Sequence, residues 1–170
     1  MKAKKIALNA VLTAIALTVY IIEQLIPLPL PVPGVKLGLS NIVTLFAMFA
    51  LSPIDAAVIL VARILLGSLF SGRITSLLYS AVGGILCYLA TLLLKRIITE
   101  KQIWVCGVVG AIAHNVGQIS VAALLTGSAA IFTYLPVLIA FAVVTGTATG
   151  LTAQLSVLKT EKVITKFKIK

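Results

Sequence analysis

The chain has 170 residues and a formal net charge of +10, with 61% of its residues hydrophobic and 11% charged; its mean hydropathy is +1.19. A soluble domain carries about a quarter charged residues on its surface, so a water-facing globule is excluded and lipid must be the solvent for most of the exterior. The basic residues sit at the ends of apolar runs, a pattern of membrane topology rather than of a nucleic-acid-binding face.

The N-terminal Met1-Lys2-Ala3-Lys4-Lys5 leads into an apolar run that reaches about Ile26. That is too long for a signal-peptide core and has no small-residue cleavage site, so it reads as a retained first helix. Cutting at polar, Pro and Gly punctuation predicts six helices, at about 6–26, 37–51, 54–71, 75–94, 103–126 and 131–158. A basic cytoplasmic tail follows at 159–170, and the whole of 1–170 forms a single integral membrane domain. The second segment is short for a crossing, which takes roughly 20 residues. It is joined to the third by Leu51-Ser52-Pro53-Ile54-Asp55, a turn with Pro at a helix start and Asp in the first turn, giving a helical hairpin.

With the N-terminus inside, Lys2, Lys4, Lys5, Lys95, Arg96, Lys101, Lys159, Lys162, Lys166, Lys168 and Lys170 are cytoplasmic, against Lys36 and Arg73 outside. This bias places both termini in the cytoplasm of a multi-pass protein of the inner (cytoplasmic) membrane. Between the first two helices, Pro27, Pro29, Pro31 and Pro33 alternate in a stiff apolar strap. It reads either as a helix terminator or as a cover over the outer mouth of the bundle.

Polar groups within the membrane cost free energy and mark interior or wet positions. They are Glu23 in the first helix, Lys36 and Asn41 at the start of the second, Arg63 midway along the third, Arg73 between the third and fourth, and His114, Asn115 and Gln118 in the fifth. His114 and Gln118, four apart, share a helix face. The group reads as one outward-open polar pocket or, alternatively, as an Arg63–Glu23 pair plus interhelical hydrogen-bonding glue. Because Lys36, Arg63 and Arg73 outnumber Glu23, a pocket of this composition favours an anionic ligand. A lone His gives no metal site, and Cys87 and Cys106 fit no metal or redox spacing.

Small residues form a second pattern. Ala3, Ala7, Ala10 and Ala14 stripe the cytoplasmic half of helix 1, a candidate docking face for another membrane protein. Gly146 and Gly150 in helix 6, Gly107 and Gly110 in helix 5 and Gly83-Gly84 in helix 4 suit close packing. The Gly146/Gly150 face also offers a self-association surface for a structural or channel protein.

The runs Pro33-Gly34-Val35-Lys36-Leu37-Gly38-Leu39-Ser40-Asn41, Phe70-Ser71-Gly72-Arg73 and Ser80-Ala81-Val82-Gly83-Gly84, with His114-Asn115-x-x-Gln118, resemble the Gx transporter family. That family is also labelled heptaprenyl diphosphate synthase component I, and is similar to the substrate-binding S components of energy-coupling factor (ECF) transporters. The resemblance implies an all-α, six-transmembrane-helix bundle with an outward pocket, a closing loop after helix 1, and a docking motif matched here by Ala10-Val11-Leu12-Thr13-Ala14. It also implies a transmembrane coupling protein and two cytoplasmic ATPases as partners. The expected function is uptake of a small anionic or amphipathic molecule, such as a vitamin or precursor. Glu23, Lys36, Asn41, Arg63, Arg73, His114, Asn115 and Gln118 would bind the substrate, and Ala7, Ala10 and Ala14 would dock the partner. No cofactor is expected.

The synthase label points to the alternative of a non-catalytic membrane subunit in polyprenyl diphosphate synthesis. Catalysis by this chain itself is not expected. Prenyl diphosphate synthases use Asp-rich magnesium motifs, whereas Asp55 is the only aspartate here. A phosphate-binding Gly-rich loop is likewise absent from the sequence.

Overall fold

The computed structural model describes residues 2–26 and 36–164. Most of the Pro-rich strap, and the tail beyond 164, lie outside the described residues. Among the described residues six α-helices form an all-α membrane bundle: α1 Lys2–Gln24, α2 Asn41–Ala50, α3 Pro53–Ser71, α4 Ile74–Leu94, α5 Ile103–Thr126 and α6 Leu135–Ile164. Short 3₁₀ turns, Glu100–Gln102 and Ala129–Tyr134, lead into α5 and α6. Five of the helices are long and apolar enough to cross a bilayer; α2, at 10 residues, is not. At 1.5 Å per residue it rises about 15 Å, half of the hydrocarbon thickness.

The short helix lies at the centre and touches all five others. It is more apolar than they are, and Val43, Thr44, Leu45, Ala47, Met48 and Ala50 are all buried. Leu12, Ala16, Val43, Ala47, Met48, Ala56 and Ile59 form one core between α1, α2 and α3. Leu45, Ala50, Ile103, Cys106, Ala153 and Val157 form another between α2, α5 and α6. The remainder of the second segment enters the bundle as non-helical backbone.

The basic ends of the helices are pinned together. Ser52 caps α3 by accepting from the Asp55 N–H at 3.1 Å, and Pro53 occupies the first turn, where its missing N–H costs nothing. Asp55 also accepts from Asn9 at 2.9 Å and pairs with Lys5 at 3.0 Å, tying the start of α1 to the start of α3. Lys95, at the end of α4, donates to the Met48 carbonyl in the last turn of α2, where a cation suits the helix dipole. The start of α1 and the end of α6 therefore both lie at the end rich in Lys and Arg.

The glycines of α5 and α6 face each other. A methyl group on Gly107 would come within 2.3 Å of the Gly146 carbonyl oxygen and 2.5 Å of the Gly150 Cα. The Gly146/Gly150 face is thus consumed by the α5–α6 crossing and is not presented outward for self-association.

The ring of long helices is not closed. Between α1 and α6 lies an apolar groove of about 310 Å³, floored by Ile42, Val43 and Phe46 of α2. On α1 itself, Ala3, Ala7, Ala10 and Ala14 are all exposed, on the face turned away from the core residues Leu12, Ala16 and Tyr20.

Candidate functional site

At the end of the bundle opposite the basic one, the non-helical segment Lys36–Ser40 is held among α1, α4 and α5. Its Gly38, Leu39 and Ser40 carbonyls accept from the first N–H groups of α2, but its own N–H groups have no helical partners, and an unpaired peptide group in hydrocarbon costs several kcal/mol. Membrane-embedded polar side chains supply the partners. The Glu23 carboxylate accepts from the Gly38 N–H at 2.5 Å, and Gln118 Oε1 accepts from the Lys36 N–H at 3.0 Å. The Leu39 N–H also faces Glu23. The Lys36 ammonium turns toward α1 and α4, donating to Tyr20 Oη at 2.7 Å and Ser76 Oγ at 2.9 Å. It lies 3.9 Å from the centre of the Tyr20 ring.

Gln118 fixes the state of its neighbour. Because its oxygen takes the Lys36 N–H, its amide nitrogen must face His114 Nε2, 2.9 Å away. That ring nitrogen then accepts, and the imidazole proton belongs on Nδ1, which lies near Gly83 without a hydrogen-bond partner of its own. The ring is slotted between two glycines: a methyl on Gly38 or on Gly83 would lie 2.9 Å from it. Gly38 also has φ +76°, in the left-handed region. Gly38→Ala is therefore expected to destabilise the protein by about 2 kcal/mol, from backbone strain plus the clash. Thermal unfolding of G38A, H114A and G38A/H114A measures the part of the cost that comes from the His114 contact, the Asn41 Nδ2 contact at 3.0 Å and the backbone strain remaining in the double variant.

Arg63 is 2% exposed and donates to Asn41 Oδ1 at 3.0 Å, with its guanidinium 5.9 Å from the Tyr20 ring centre. Its Nε has no hydrogen-bond partner. Glu23, 4% exposed, is in electrostatic reach of Arg63, yet Lys5–Asp55 is the only ion pair among the described residues. The Arg63–Glu23 ion pair of the alternative reading is not formed, because the Glu23 carboxylate is taken up by backbone N–H groups.

Six of the eight candidate residues, Glu23, Lys36, Asn41, Arg63, His114 and Gln118, thus share one cluster. Asn115 and Arg73 lie elsewhere. Asn115, one residue on from His114 and so about 100° round the helix, donates to the Leu138 carbonyl of α6 at 2.8 Å. Arg73 precedes α4 in extended backbone and is exposed. Tyr20 and Ser76 were not among the residues singled out from sequence. Helical spacing could have found them, since Tyr20 is one turn before Glu23, and Ser76 and Gly83 fall on one face of α4. Close to Gly38 and Asn41 is a cavity of about 20 Å³, room for about one water.

A buried polar cluster built by four long helices and an interrupted short one defines a multi-pass membrane protein with an internal site. The chain belongs to the heptaprenyl diphosphate synthase component I family, whose model matches residues 12–156. Neither a curated protein nor a solved structure gives a significant match.

Proposed function

We propose that this chain is the substrate-binding membrane component, in the manner of an ECF S component, of an uptake system for a small molecule. The observation that carries the reading is the cluster itself. Glu23, Lys36, Asn41, Arg63, His114 and Gln118 converge inside the bilayer from distant parts of the chain, and such groups are costly there without a task. Of the six only Asn41 lines the small cavity, together with Gly38, and the Lys36–Ser40 segment fills the space among the others; entry of an organic ligand in this reading requires that segment to withdraw. Glu23 and Gln118 would then exchange backbone N–H groups for ligand donors.

The opposite end serves the partner in this reading. It faces the cytoplasm by its excess of Lys and Arg, and the exposed Ala7, Ala10 and Ala14 leave room for a coupling helix to approach closely. Energy would come from that coupling protein and two ATPases, the chain itself being no enzyme. Ala10 makes no core contact that a larger side chain would break. Ala10→Trp is therefore expected to lower uptake at least tenfold in cells while ligand retention by the purified protein stays unchanged. Loss of both would refute the division between the two ends.

The family match favours a second reading, a non-catalytic membrane subunit that supports a soluble heptaprenyl diphosphate synthase. That reading requires co-purification with an Asp-rich synthase, and altered prenyl products when the chain is deleted.

A further inference from the structure

The charge of the cluster does not balance. Lys36 and Arg63 face the interior of the same end, and the whole sequence offers only four acids with which to neutralise them: Glu23, Asp55, Glu100 and Glu161. Asp55 is occupied by Lys5, Asn9 and Ser52 at the basic end. Glu100 precedes α5 at that end, and Glu161 follows the last core residue of α6 there, Val157. The strap 27–35 contains no acid. Glu23 alone remains, and its carboxylate is drawn to the Gly38 and Leu39 N–H groups.

Neither cation forms an ion pair among the described residues. Arg63 is buried with one hydrogen bond to a neutral amide and an unpartnered Nε, a donor pointing at no acceptor. The N-termini of α2 and α4 lie at the same end and add partial positive charge there, although the N–H groups of Asn41, Ile42, Val43 and Ser76 already donate to backbone carbonyls. A desolvated guanidinium is tolerated when an anion meets its planar donor edge.

Resting on the substrate-binding reading above, the geometry points to an anionic ligand whose carboxylate or phosphate group is received by Arg63, with the Lys36 ammonium as the second cation. Glu23 does not receive the anion; it holds the backbone that carries Lys36 into place.

The test is thermal unfolding of the full chain in nanodiscs of zwitterionic phosphatidylcholine, with inorganic phosphate or citrate compared against sodium chloride at equal ionic strength. Either oxyanion is expected to raise the wild-type midpoint by several degrees. The rise is kept in R73Q, whose arginine is exposed, and lost in R63Q. Should R63Q not fold, R63K serves, because it keeps the charge but loses the planar fork and so shrinks the shift. Nanodiscs containing phosphatidylglycerol identify the source. A raised midpoint to which phosphate adds nothing assigns the anion to a lipid headgroup; an unchanged midpoint that phosphate still raises assigns it to a soluble anion. Equal midpoints in oxyanion and chloride, or an undiminished shift in both Arg63 variants, overturn the inference. A neutral or cationic molecule retained by the purified protein would overturn it too, while leaving the substrate-binding reading standing.

Discussion

Replacing Gly107 with leucine is expected to abolish the native packing of α5 on α6 and with it the stable bundle. The obstacle is backbone, not a side chain that can swing aside. The first added carbon would lie 2.3 Å from the Gly146 carbonyl oxygen, 2.5 Å from Gly150 Cα and 2.8 Å from Gly150 N. The reciprocal positions are equally closed: a methyl on Gly150 would meet the Trp104 backbone at 2.7 Å, and one on Gly146 the Val108 Cα at 2.7 Å. Ordinary overpacking costs about 1–3 kcal/mol; with two helix backbones forced apart, G107L should exceed about 3 kcal/mol. Lipid offers little apolar driving force to recover the contact, because tight packing is what joins membrane helices. Gly84→Ala is the informative contrast. Its nearest neighbours are the tips of Leu60 and Ile64, at 3.1 and 3.2 Å, which can rotate away. Unfolding in mild detergent should therefore rank G107L far below G84A, and equal stabilities would show that the α5–α6 crossing is looser than described.

The second large effect is expected at Glu23. Glu23→Ala removes the acceptor for Gly38 N–H and the group facing Leu39 N–H, leaving peptide donors in a half-buried, non-helical stretch. Each orphaned donor costs about 1–3 kcal/mol, so the variant should lose about 3 kcal/mol or release the Lys36–Ser40 segment to escape the penalty. Hydrogen exchange of the amides of residues 36–40 distinguishes these outcomes from no effect, and faster exchange confined to that stretch is the expected result. Gln118→Ala removes only the acceptor for Lys36 N–H and should give a smaller change. If exchange is unaltered in E23A, the carboxylate is not what holds the segment.

The class of fold is legible from composition alone, because 11% charged residues cannot clothe a soluble domain. The polar residues were equally conspicuous, since a bilayer makes Arg63 or His114 stand out in a way that a leucine does not. Their azimuths were not legible. Asn115 lies next to His114 in sequence, yet it spends its amide on Leu138 of α6. The hidden element was the interruption of the second segment. Sequence reads 37–51 as one short apolar run, whereas α2 starts at Asn41 and leaves Lys36 to Ser40 non-helical. Once that break is seen, Glu23 and Gln118 are explained as acceptors for peptide N–H groups, and the Glu23–Arg63 contact pair that charge alone suggests gives way to an arginine with no ion pair.

The same reasoning separates the two small-residue patterns. Gly146 and Gly150 look like a dimerisation face in sequence, but the structure spends them on Gly107. The alanines of α1 look similar, and they alone remain on the exterior. Spacing could not tell these cases apart, because both suit close helix approach; only the order in which the helices surround α2 decides which face is left over.

If the buried cluster receives a small molecule, native mass spectrometry of the full chain, purified from its host into lipid nanodiscs, should find one small molecule per chain in the wild type. R63Q should lose it while staying folded. Wild-type protein that carries no small molecule, or one that R63Q retains at the same stoichiometry, would contradict the substrate-binding reading.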